Sequence, residues 1–316
     1  MTAPILEVRD LSKHYYLKGN NTLKAVDGVS FDVGAGETLS LVGESGCGKS
    51  TIGRTILRLV PVTSGSILID GKRIDTLSGA RLRTLRRRFQ VIFQDPFSSL
   101  NPRMRVRDIV AEPIRNFKLA RSSAELNAQV SKLIDTVRLP SDAGGRFPHE
   151  FSGGQRQRIG IAKALAAQPD LIVCDEAVSA LDVSVKAQIV NLLQDLQVDL
   201  GLSLLFISHD LAVVEHMTHR VAVMYLGKIV EIGTREQIFM KPHHPYTKAL
   251  RSAVPLPDPT VKRERITLKG DVPSPINIPS GCRFHTRCPF ALDRCRKEEP
   301  APREISARHL SACHLD

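Results

Sequence analysis

Residues 43–51 carry the strongest chemical pattern of the chain, since GESGCGKST fits the spacing G-x-x-x-x-G-K-[ST]. They follow the apolar run TLSLV and precede TIGRTILRLV, which has a helical pattern. Glycines let backbone N–H groups turn toward phosphate oxygens, and the following helix adds the positive end of its dipole. Lys49 is predicted to reach the β and γ phosphates of a nucleotide, and the Ser50 hydroxyl to coordinate Mg²⁺. The nucleotide-binding residues predicted in this phosphate loop, hereafter the P-loop, are Gly43, Ser45, Gly46, Cys47, Gly48, Lys49, Ser50 and Thr51.

Two further apolar runs end in groups suited to phosphate chemistry. LIVCDE ends in Asp175 and Glu176, and LLFISHD contains His209 directly after its apolar residues. The carboxyl ends of parallel strands lie at one edge of a sheet, so we expect these side chains to meet at the P-loop. Asp175 is predicted to hold Mg²⁺, and Glu176 to polarise a water toward the γ-phosphate. His209 is placed to stabilise the charge of a transferring phosphoryl group.

Four of the six cysteines lie in the last 35 residues: Cys282, Cys288, Cys295 and Cys313. The first residues show no signal-peptide pattern, and we expect a reducing compartment, where grouped cysteines more often hold metal than form disulfides. The spacing C-x5-C-x6-C-x17-C lacks the C-x2-C pairs of common zinc ribbons. Cys288 precedes Pro289, a pair also found in iron–sulfur ligand runs. The residues leave three possibilities open, namely an iron–sulfur cluster, free thiols, or zinc with a substitute ligand from His285, His309 or His314.

The charge of the chain is strongly basic, with a formal net charge of +11. Residues 241–316 contribute +6 of it, from 14 Lys and Arg against 8 Asp and Glu. A basic excess suits nucleic acid, an anionic membrane surface or simple solubility. The one local basic run, RLRTLRRRF at 81–89, lacks interleaved aromatic residues for base stacking and is predicted to be a solvated helix face. No run of about 18 apolar residues occurs, so no membrane-spanning helix is predicted.

The remaining pattern predicts an α/β protein with added parts. ILEVRDLSKHYY and VDGVSFDVGAGE alternate as half-exposed strands and predict an antiparallel subdomain at the front. AELNAQVSKLIDTVRL places apolar residues on one helical face, within a helical subdomain expected at about residues 96–166. We expect a nucleotide-binding domain over residues 1–240 and a loop-rich C-terminal extension, rich in proline and glycine, over residues 241–316.

The segment FSGGQRQRIGIAKAL adds a resemblance to a known family. Together with the P-loop, LIVCDE, SALD and ISHD, it resembles the ATP-binding cassette (ABC) ATPases in order and spacing over residues 5–235. The resemblance implies a P-loop ABC ATPase fold, with a RecA-like parallel core, an antiparallel β subdomain and an α-helical subdomain. It also implies ATP hydrolysis with Mg²⁺. Ala177 stands where the family usually has proline, which loosens the fixed φ of that turn, yet the hydrolytic set is complete and we predict a competent ATPase.

The resemblance also assigns roles to residues of this sequence. Tyr15, with Tyr16 next to it, matches the aromatic residue that stacks on adenine. Gln94 matches a catalytic loop residue that senses Mg²⁺ and touches the membrane subunits, beside Glu176 as catalytic carboxylate and His209 as switch histidine. The signature motif, which binds the γ-phosphate of ATP held by a partner chain, corresponds to Ser152, Gly153, Gly154 and Gln155. Asp182 matches the loop that crosses the dimer interface.

Two other stretches narrow the resemblance to one group of importers. DPFSSLNPRM follows Gln94, and PHHPYTKAL opens the extension, and both are similar to the ATPases of dipeptide and oligopeptide importers, closest to the second ATPase subunit of dipeptide permeases. This implies a heterodimer with a second homologous ATPase, two membrane permease subunits and an extracytoplasmic peptide-binding protein. It places the chain peripherally at the cytoplasmic face of the bacterial inner membrane. Independently, one chain's P-loop and signature motif cannot both reach one ATP, so a working site needs a second chain.

Alternatives remain open from the sequence. Importers for nickel, opines, murein peptides or glycosides use the same scaffold, and an ATPase does not read cargo. An ABC ATPase of DNA repair or translation is disfavoured by the short interval between P-loop and signature and by the single cassette, and no nucleic acid partner is predicted. A regulatory ATPase without a transporter is disfavoured by the loop around Gln94. In the importer family, similar cysteine-bearing tails are associated with a [4Fe–4S] cluster, so the resemblance implies one held by Cys282, Cys288, Cys295 and Cys313, with Zn²⁺ as the alternative.

Overall fold

The computed structural model of the chain describes residues 3–19, 21–95, 99–254 and 266–315. The strands are β1 Leu6–Tyr16, β2 Thr22–Val33, β3 Thr38–Val42, β4 Ser64–Ile69, β5 Lys72–Arg73, β6 Phe89–Ile92, β7 Leu171–Asp175, β8 Ser203–Ser208, β9 Arg220–Tyr225, β10 Lys228–Thr234, β11 Arg303–Ser306 and β12 His309–Ser311. The α-helices are α1 Lys49–Ile56, α2 Gly79–Leu85, α3 Val106–Asn116, α4 Ser123–Thr136, α5 Gly153–Leu165, α6 Val183–Leu200, α7 Leu211–Met217, α8 Arg235–Met240, α9 Pro245–Ser252 and α10 Asp293–Lys297. Short 3-10 helices lie at Ser141–Gly145 and Pro148–Glu150.

The larger sheet has the order β11-β12-β10-β9-β3-β8-β7-β6. Its central strands β9, β3, β8, β7 and β6 are parallel. β3, β7 and β8 are buried along their whole length, as expected of strands covered on both faces. The predicted parallel core is therefore confirmed, and the carboxyl ends of these three strands lie at one edge.

A smaller antiparallel sheet, in the order β2-β1-β4-β5, packs beside this core. Residue pairs such as Leu6 with Val33 and Val8 with Phe31 fix the register of β1 on β2. Their side chains join Leu39 and Leu41 of β3 in one hydrophobic cluster. The predicted antiparallel part at the front of the chain is thus confirmed.

The helices α3, α4 and α5 follow β6 and precede β7 in the sequence, and they pack against one another. Ser122 caps α4, and its side chain accepts a hydrogen bond from the Glu125 N–H. Val130 and Ile134 are buried, and Leu133 packs partly buried on the same core. The predicted apolar face of this helix is confirmed, although three residues of the interval from 96 onward lie outside the described residues.

The C-terminal extension is fastened to the edge of the large sheet. β12 pairs antiparallel with β10, where Glu231 faces Ser311. The buried Glu231 carboxylate accepts hydrogen bonds from the backbone N–H groups of His243 and His244, at 2.7 and 3.0 Å, and from His309 Nε2 at 2.7 Å. A buried carboxylate is costly unless it is paired in this way, so these contacts specify where the extension docks.

Two arginines of the basic run form hydrogen bonds and ion pairs at the surface. Arg88 donates to the carboxylates of Asp70 and Asp170, at 2.7 and 2.6 Å, and Arg87 donates to the Gln168 side chain. These contacts lie at the surface, with the Arg88 side chain 32% exposed, so they do not contradict the predicted solvated face. Within the described residues, no helix is long and apolar enough to cross a membrane.

Candidate active site

The P-loop connects β3 to α1 in a conformation that depends on its glycines. Gly43, Gly46 and Gly48 have positive φ, at 150°, 79° and 108°. A Cβ at Gly43 would lie 2.2 Å from the Met224 carbonyl oxygen, and a Cβ at Gly48 would lie 2.1 Å from that of Ala25. Only glycine fits these two positions, because a side chain would collide with the backbone of neighbouring segments. The loop tip at Gly46 is exposed, so its backbone is accessible to a ligand.

Lys49 lies buried at the start of α1, with its ammonium group inside the loop. Its Nζ donates to the carbonyl oxygens of Gly43 and Glu44, at 2.7 and 2.9 Å, and lies 3.7 Å from Cys47 Sγ. Burial raises the pKa of the Cys47 thiol, which keeps it protonated. Ser45 is exposed beside the tip. The positive charge is therefore held where the sequence predicts the phosphates.

Asp175 ends β7 next to the P-loop helix. The Ser50 side chain lies close enough to its carboxylate to affect its ionisation, whereas the buried Oδ1 has no hydrogen-bond partner among the described residues. Burial raises the pKa of Asp175, the Glu176 carboxylate adds to the rise, and Ser50 opposes it. An unpaired carboxylate oxygen beside a hydroxyl is the kind of oxygen donor set that Mg²⁺ prefers. Ser50 and Asp175 therefore fit the predicted magnesium site, where the ion would neutralise phosphate charge.

Glu176 and His209 meet at the same edge of the sheet. Glu176 follows β7 with φ of 51°, a left-handed conformation that few residues other than glycine adopt. Its Oε1 lies 3.4 Å from His209 Nδ1, and its N–H donates to the Ile207 carbonyl of β8 at 3.0 Å. Strain of this kind concentrates at functional sites and persists only where surrounding contacts enforce it. The structure thus brings together Glu176 and His209, the two side chains that were expected to meet at the ends of these strands.

The turn after Glu176 is held without the usual proline. Ser179 donates to the Glu176 carbonyl oxygen twice, from its N–H at 3.0 Å and from Oγ at 2.9 Å. Ala177 is fully buried within this turn. These hydrogen bonds supply the restraint on the backbone that a proline ring would otherwise give.

The signature segment, residues 151–155, forms the start of α5. Ser152 Oγ accepts from the Gln155 N–H at 3.3 Å, and Gln155 Oε1 accepts from the Ser152 N–H at 3.0 Å, a capping box. Gly154 packs on α6, since a Cβ there would lie 2.3 Å from Val185 Cγ1. Ser152 is exposed and Gly153 half-exposed, so the helix N-terminus faces outward, as an anion cradle requires.

The other predicted ligand-binding residues are placed as follows. Tyr15 is half-buried in β1 with Lys13 Nζ 4.8 Å from its ring centroid, and Tyr16 is 79% exposed. Gln94 is exposed just after β6, and Asp182 is the exposed N-cap residue of α6. Residues 96–98 of the DPFSSLNPRM stretch lie outside the described residues. The adenine, interface and magnesium roles of these residues stay predictions.

The four extension cysteines are free thiols that fold near one another. Burial raises the pKa of Cys282 to about 11, and the thiols of Cys295, Cys313 and Cys288 contribute further to this rise. The Cys282 N–H also donates to the Cys295 carbonyl at 2.8 Å. Over the described ranges, however, no group of three or more His, Cys, Asp or Glu side chains is arranged to hold a metal ion.

Three side chains of the extension have carboxylate partners that lie outside the cysteine set. Arg283 is bonded to Asp27, and Arg294 donates to Glu298 at 2.7 Å. His309, a candidate zinc ligand, is paired with the buried Glu231. In each case a carboxylate brought close by folding binds the side chain, and sequence spacing gives no sign of it.

Sequence reasoning missed a contact between the extension and the P-loop. Arg287 binds the Glu44 carboxylate with both terminal nitrogens, at 2.7 and 3.2 Å. The Glu44 N–H donates to Tyr246 Oη at 2.9 Å. The sequence hints at this contact only through an acidic residue in the P-loop and arginines between two cysteines. These two features lie about 240 positions apart in the chain.

Fold and site together define an ABC-type ATPase: a P-loop on a parallel core, paired carboxylates and a histidine at the strand ends, and an exposed signature helix. The family described as ABC transporter matches residues 26–179, and that described as oligopeptide/dipeptide transporter, C-terminal region, matches residues 230–295. The chain belongs to the ABC transporter ATP-binding proteins that carry this C-terminal region.

Relatives match over nearly their whole length. A putative peptide import ATP-binding protein of Brucella ovis is 55% identical over 313 residues, which covers 99% of this chain and 98% of the relative. The oligopeptide transport ATP-binding protein AppF of Bacillus subtilis is 51% identical, with coverage of 98% and 97%. The putative oligopeptide transport ATP-binding protein YkfD of the same organism is 52% identical, with coverage of 99% and 95%.

Solved structures share the cassette fold. The ATP-binding cassette MJ0796, as a dimer bound to ADP and Pi, superposes with a TM-score of 0.66 at 27% identity, covering 73% of this chain and 98% of that one. The cbiO1 protein of Clostridium perfringens, part of an ABC transporter complex, gives a TM-score of 0.67 at 27% identity, with coverage of 75% and 91%. The predicted ABC ATPase fold is confirmed.

Proposed function

We propose that this chain is the ATP-hydrolysing subunit of an importer for dipeptides or oligopeptides. The observation that carries the hydrolytic part is the meeting of Glu176 and His209, 3.4 Å apart, at the same sheet edge as the P-loop. The cargo class is supported by the names of relatives that are 51–55% identical along the whole chain.

At this site, Glu176 acts as the base that polarises the attacking water, and His209 contacts the γ-phosphate as charge develops on it. Lys49 binds the β and γ phosphates. Ser50, Asp175 and Gln94 would hold the magnesium ion, which would neutralise charge on the phosphate oxygens. The partly buried Glu176 carboxylate, 16% exposed against 54% for His209, lies on the protein side of the pair, leaving the histidine free to face the ligand.

The ATP is enclosed between two chains in this proposal. Tyr15 stacks on the adenine of ATP on the same P-loop. Ser152, Gly153 and Gly154, with Gln155, bind the γ-phosphate of ATP on the partner's P-loop, and Asp182 lies at the interface. The outward-facing capping box and the 84% exposed Val183 beside Asp182 support an interface on this side. The partner in the proposal is a second homologous ABC ATPase.

We place this ATPase pair beneath two permease subunits, at the cytoplasmic face of the bacterial inner membrane, with an external peptide-binding protein delivering cargo. Gln94 is exposed and available for the permease contact. Co-purification of the chain with tagged permease from detergent-solubilised membranes tests this arrangement. Recovery of the chain alone, without stoichiometric amounts of the permease and the second ATPase, would contradict it.

Uptake by proteoliposomes containing the purified transporter tests the cargo. Vesicles loaded with Mg·ATP and supplied with binding protein are expected to accumulate labelled dipeptide or oligopeptide, and variants with Glu176→Gln are expected not to. Labelled nickel, opine, murein peptide and glycoside serve as competing cargos in parallel. Preference for one of these over peptides would replace the cargo proposal while leaving the ATPase proposal intact.

For the cysteine set we propose a [4Fe–4S] cluster on Cys282, Cys288, Cys295 and Cys313, with Zn²⁺ as the alternative occupant. The proposal is supported by four free thiols close enough to influence one another's ionisation. Such a group would staple a segment that has few apolar residues of its own. Iron, acid-labile sulfide and zinc are measured in protein purified without air, with Cys288→Ser as the test variant and Cys174→Ala, outside the extension, as control. About four iron and four sulfide per chain, lost in Cys288→Ser only, are expected; one zinc or no metal would contradict the cluster.

A further inference from the structure

The C-terminal extension contacts the start of the P-loop at Glu44. Three groups of Glu44 form hydrogen bonds. Its N–H donates to Tyr246 Oη at 2.9 Å, its carboxylate accepts from Arg287 at 2.7 and 3.2 Å, and its carbonyl oxygen accepts from Lys49 Nζ at 2.9 Å. Two of these three contacts come from the extension, and the third comes from the phosphate-binding lysine itself.

Tyr246 presents its hydroxyl from a rigid base. Its ring lies 4.8 Å from that of Tyr225 and 5.3 Å from that of Phe284, centroid to centroid, and Tyr225 and Phe284 are 5.2 Å apart. All three side chains of this aromatic cluster are buried. Tyr225 ends β9, the neighbour of the P-loop strand β3, so the cluster joins the extension directly to the sheet beneath the loop.

Arg287 is also fixed in place. Its side chain is 9% exposed, and its guanidinium carbon lies 6.0 Å from the Tyr225 ring centroid. Glu44 is 28% exposed, so the two-pronged pair is partly shielded from water. Charge-assisted, two-pronged Arg–carboxylate contacts combine strength with fixed geometry, and they weaken little with salt when shielded in this way.

The pair also has an electrostatic effect on the phosphate site. Glu44 is a carboxylate within the loop that receives an anionic ligand, and unpaired it would repel phosphates. Arg287 cancels this charge at contact distance while Lys49 stays available for the phosphates. Without Arg287, the Glu44 carboxylate would repel the nucleotide phosphates over several ångströms, because the site is partly shielded from water.

Besides Tyr246, three residues that reach the P-loop side lie between two of the cysteines. Arg283, Phe284 and Arg287 all fall within residues 282–288, hereafter the cysteine loop, bounded by Cys282 and Cys288. Arg283 binds the Asp27 carboxylate and the Leu226 carbonyl, and Phe284 belongs to the aromatic cluster. The conformation of the cysteine loop therefore determines where the guanidinium of Arg287 lies.

We propose that the C-terminal extension positions the P-loop for nucleotide, with Tyr246 and Arg287 as positioning residues that act through Glu44. The proposal rests on the proposed function of the loop as an ATP site. Tyr246 fixes the backbone of the first loop turn, and Arg287 fixes and neutralises its side chain. The conformation of the cysteine loop thereby affects the affinity of the P-loop for Mg·ATP. The extension itself takes no part in hydrolysis.

Equilibrium binding of Mg·ATP to the full chain tests this inference. Arg287→Gln is expected to raise the Kd about tenfold, since it leaves an unpaired carboxylate in the loop. Glu44→Gln alone is expected to stay within about twofold of wild type, and the double variant Glu44→Gln with Arg287→Gln to recover most of the loss. Tyr246→Phe, which keeps the ring and removes the hydroxyl, is expected to weaken binding and speed amide exchange of Glu44.

Arg294→Gln is the matched control, because Arg294 forms an exposed ion pair with Glu298 within the extension itself. In the assembled transporter, Arg287→Gln is expected to raise KM for ATP while kcat at saturating ATP stays unchanged. Binding by Arg287→Gln and Tyr246→Phe equal to that of Arg294→Gln would overturn the inference, as would a double variant no better than Arg287→Gln. If Arg287→Gln does not fold, Tyr246→Phe and its exchange rates decide. Failure of wild type to bind Mg·ATP would instead refute the proposed function.

Discussion

Replacement of Gly154 by alanine tests how the signature segment is held for a partner's nucleotide. A Cβ at this position would lie 2.3 Å from Val185 Cγ1, whereas carbon atoms in contact lie about 3.5–4.0 Å apart. Val185 is β-branched and on α6, where its rotamer is nearly fixed, so it cannot turn away cheaply. The start of α5 must therefore shift by roughly 1 Å relative to α6.

The size of the effect follows from this overlap. Overpacking of one methyl group in a packed interface costs about 1–3 kcal/mol. If the signature segment must regain its native position to close on ATP, that cost opposes closure and reduces turnover about 5- to 150-fold. The P-loop of the same chain is not displaced, so its own affinity for Mg·ATP is expected to stay unchanged.

The assay compares ATP turnover of the assembled transporter with Mg·ATP binding by the isolated chain. Gly160→Ala is the matched control, because it lies on the same helix and a Cβ there meets no described atom within 4 Å. Val185→Ala in the Gly154→Ala background removes the overlapping methyl group and is expected to restore much of the turnover. Equal turnover in Gly154→Ala and Gly160→Ala would refute the reasoning, as would loss of Mg·ATP binding by the isolated Gly154→Ala chain.

Three further outcomes follow from buried groups. Lys49→Ala is expected to abolish measurable Mg·ATP binding in calorimetry while thermal unfolding still shows a cooperative transition, because the lysine supplies the charge inside the loop. Glu231→Ala is expected to lower the free energy of unfolding by about 3–5 kcal/mol in urea denaturation, since it leaves three donors, two of them buried, without an acceptor. Burial lowers the pKa of His244 to about 3 from its usual value of 6.5, so the unfolded chain binds an extra proton as pH falls below 6.5 and stability is lost there. Between pH 7.5 and 5.5 this loss is about 1.4 kcal/mol, and it should be absent in His244→Asn, which preserves the helix cap, when urea denaturation is compared at both pH values.

The parts of the site that the sequence predicted are those whose chemistry is contiguous in the chain. The glycines, lysine and hydroxyls of the P-loop lie within nine consecutive residues, and Asp175, Glu176 and His209 each follow a recognisable apolar run. Parallel strands place such ends together by geometry alone. The left-handed φ of Glu176 was not predictable, because contacts with β8 and Ser179 enforce it only after folding.

Contacts across long sequence intervals escaped prediction. Arg287 reaches Glu44 across more than 240 positions, and Glu231 pairs with His309 across 78. Arg283 and Arg287 of the extension likewise bind Asp27 and Glu44, two carboxylates of the nucleotide-binding part. Charge and spacing indicate that an ion pair will form, but only the fold selects its partner.

The most direct test of the proposed hydrolytic role is ATP turnover by the assembled transporter carrying Glu176→Gln, with Mg·ATP binding measured in the same preparation. Asp199→Asn, an equivalent change of an exposed carboxylate on α6, serves as control. We predict that Glu176→Gln binds Mg·ATP as wild type does and that hydrolysis at this site falls about 10²-fold or more, with Asp199→Asn unaffected. Turnover equal to wild type in Glu176→Gln, with binding intact, would contradict the assignment of this chain as the hydrolysing subunit.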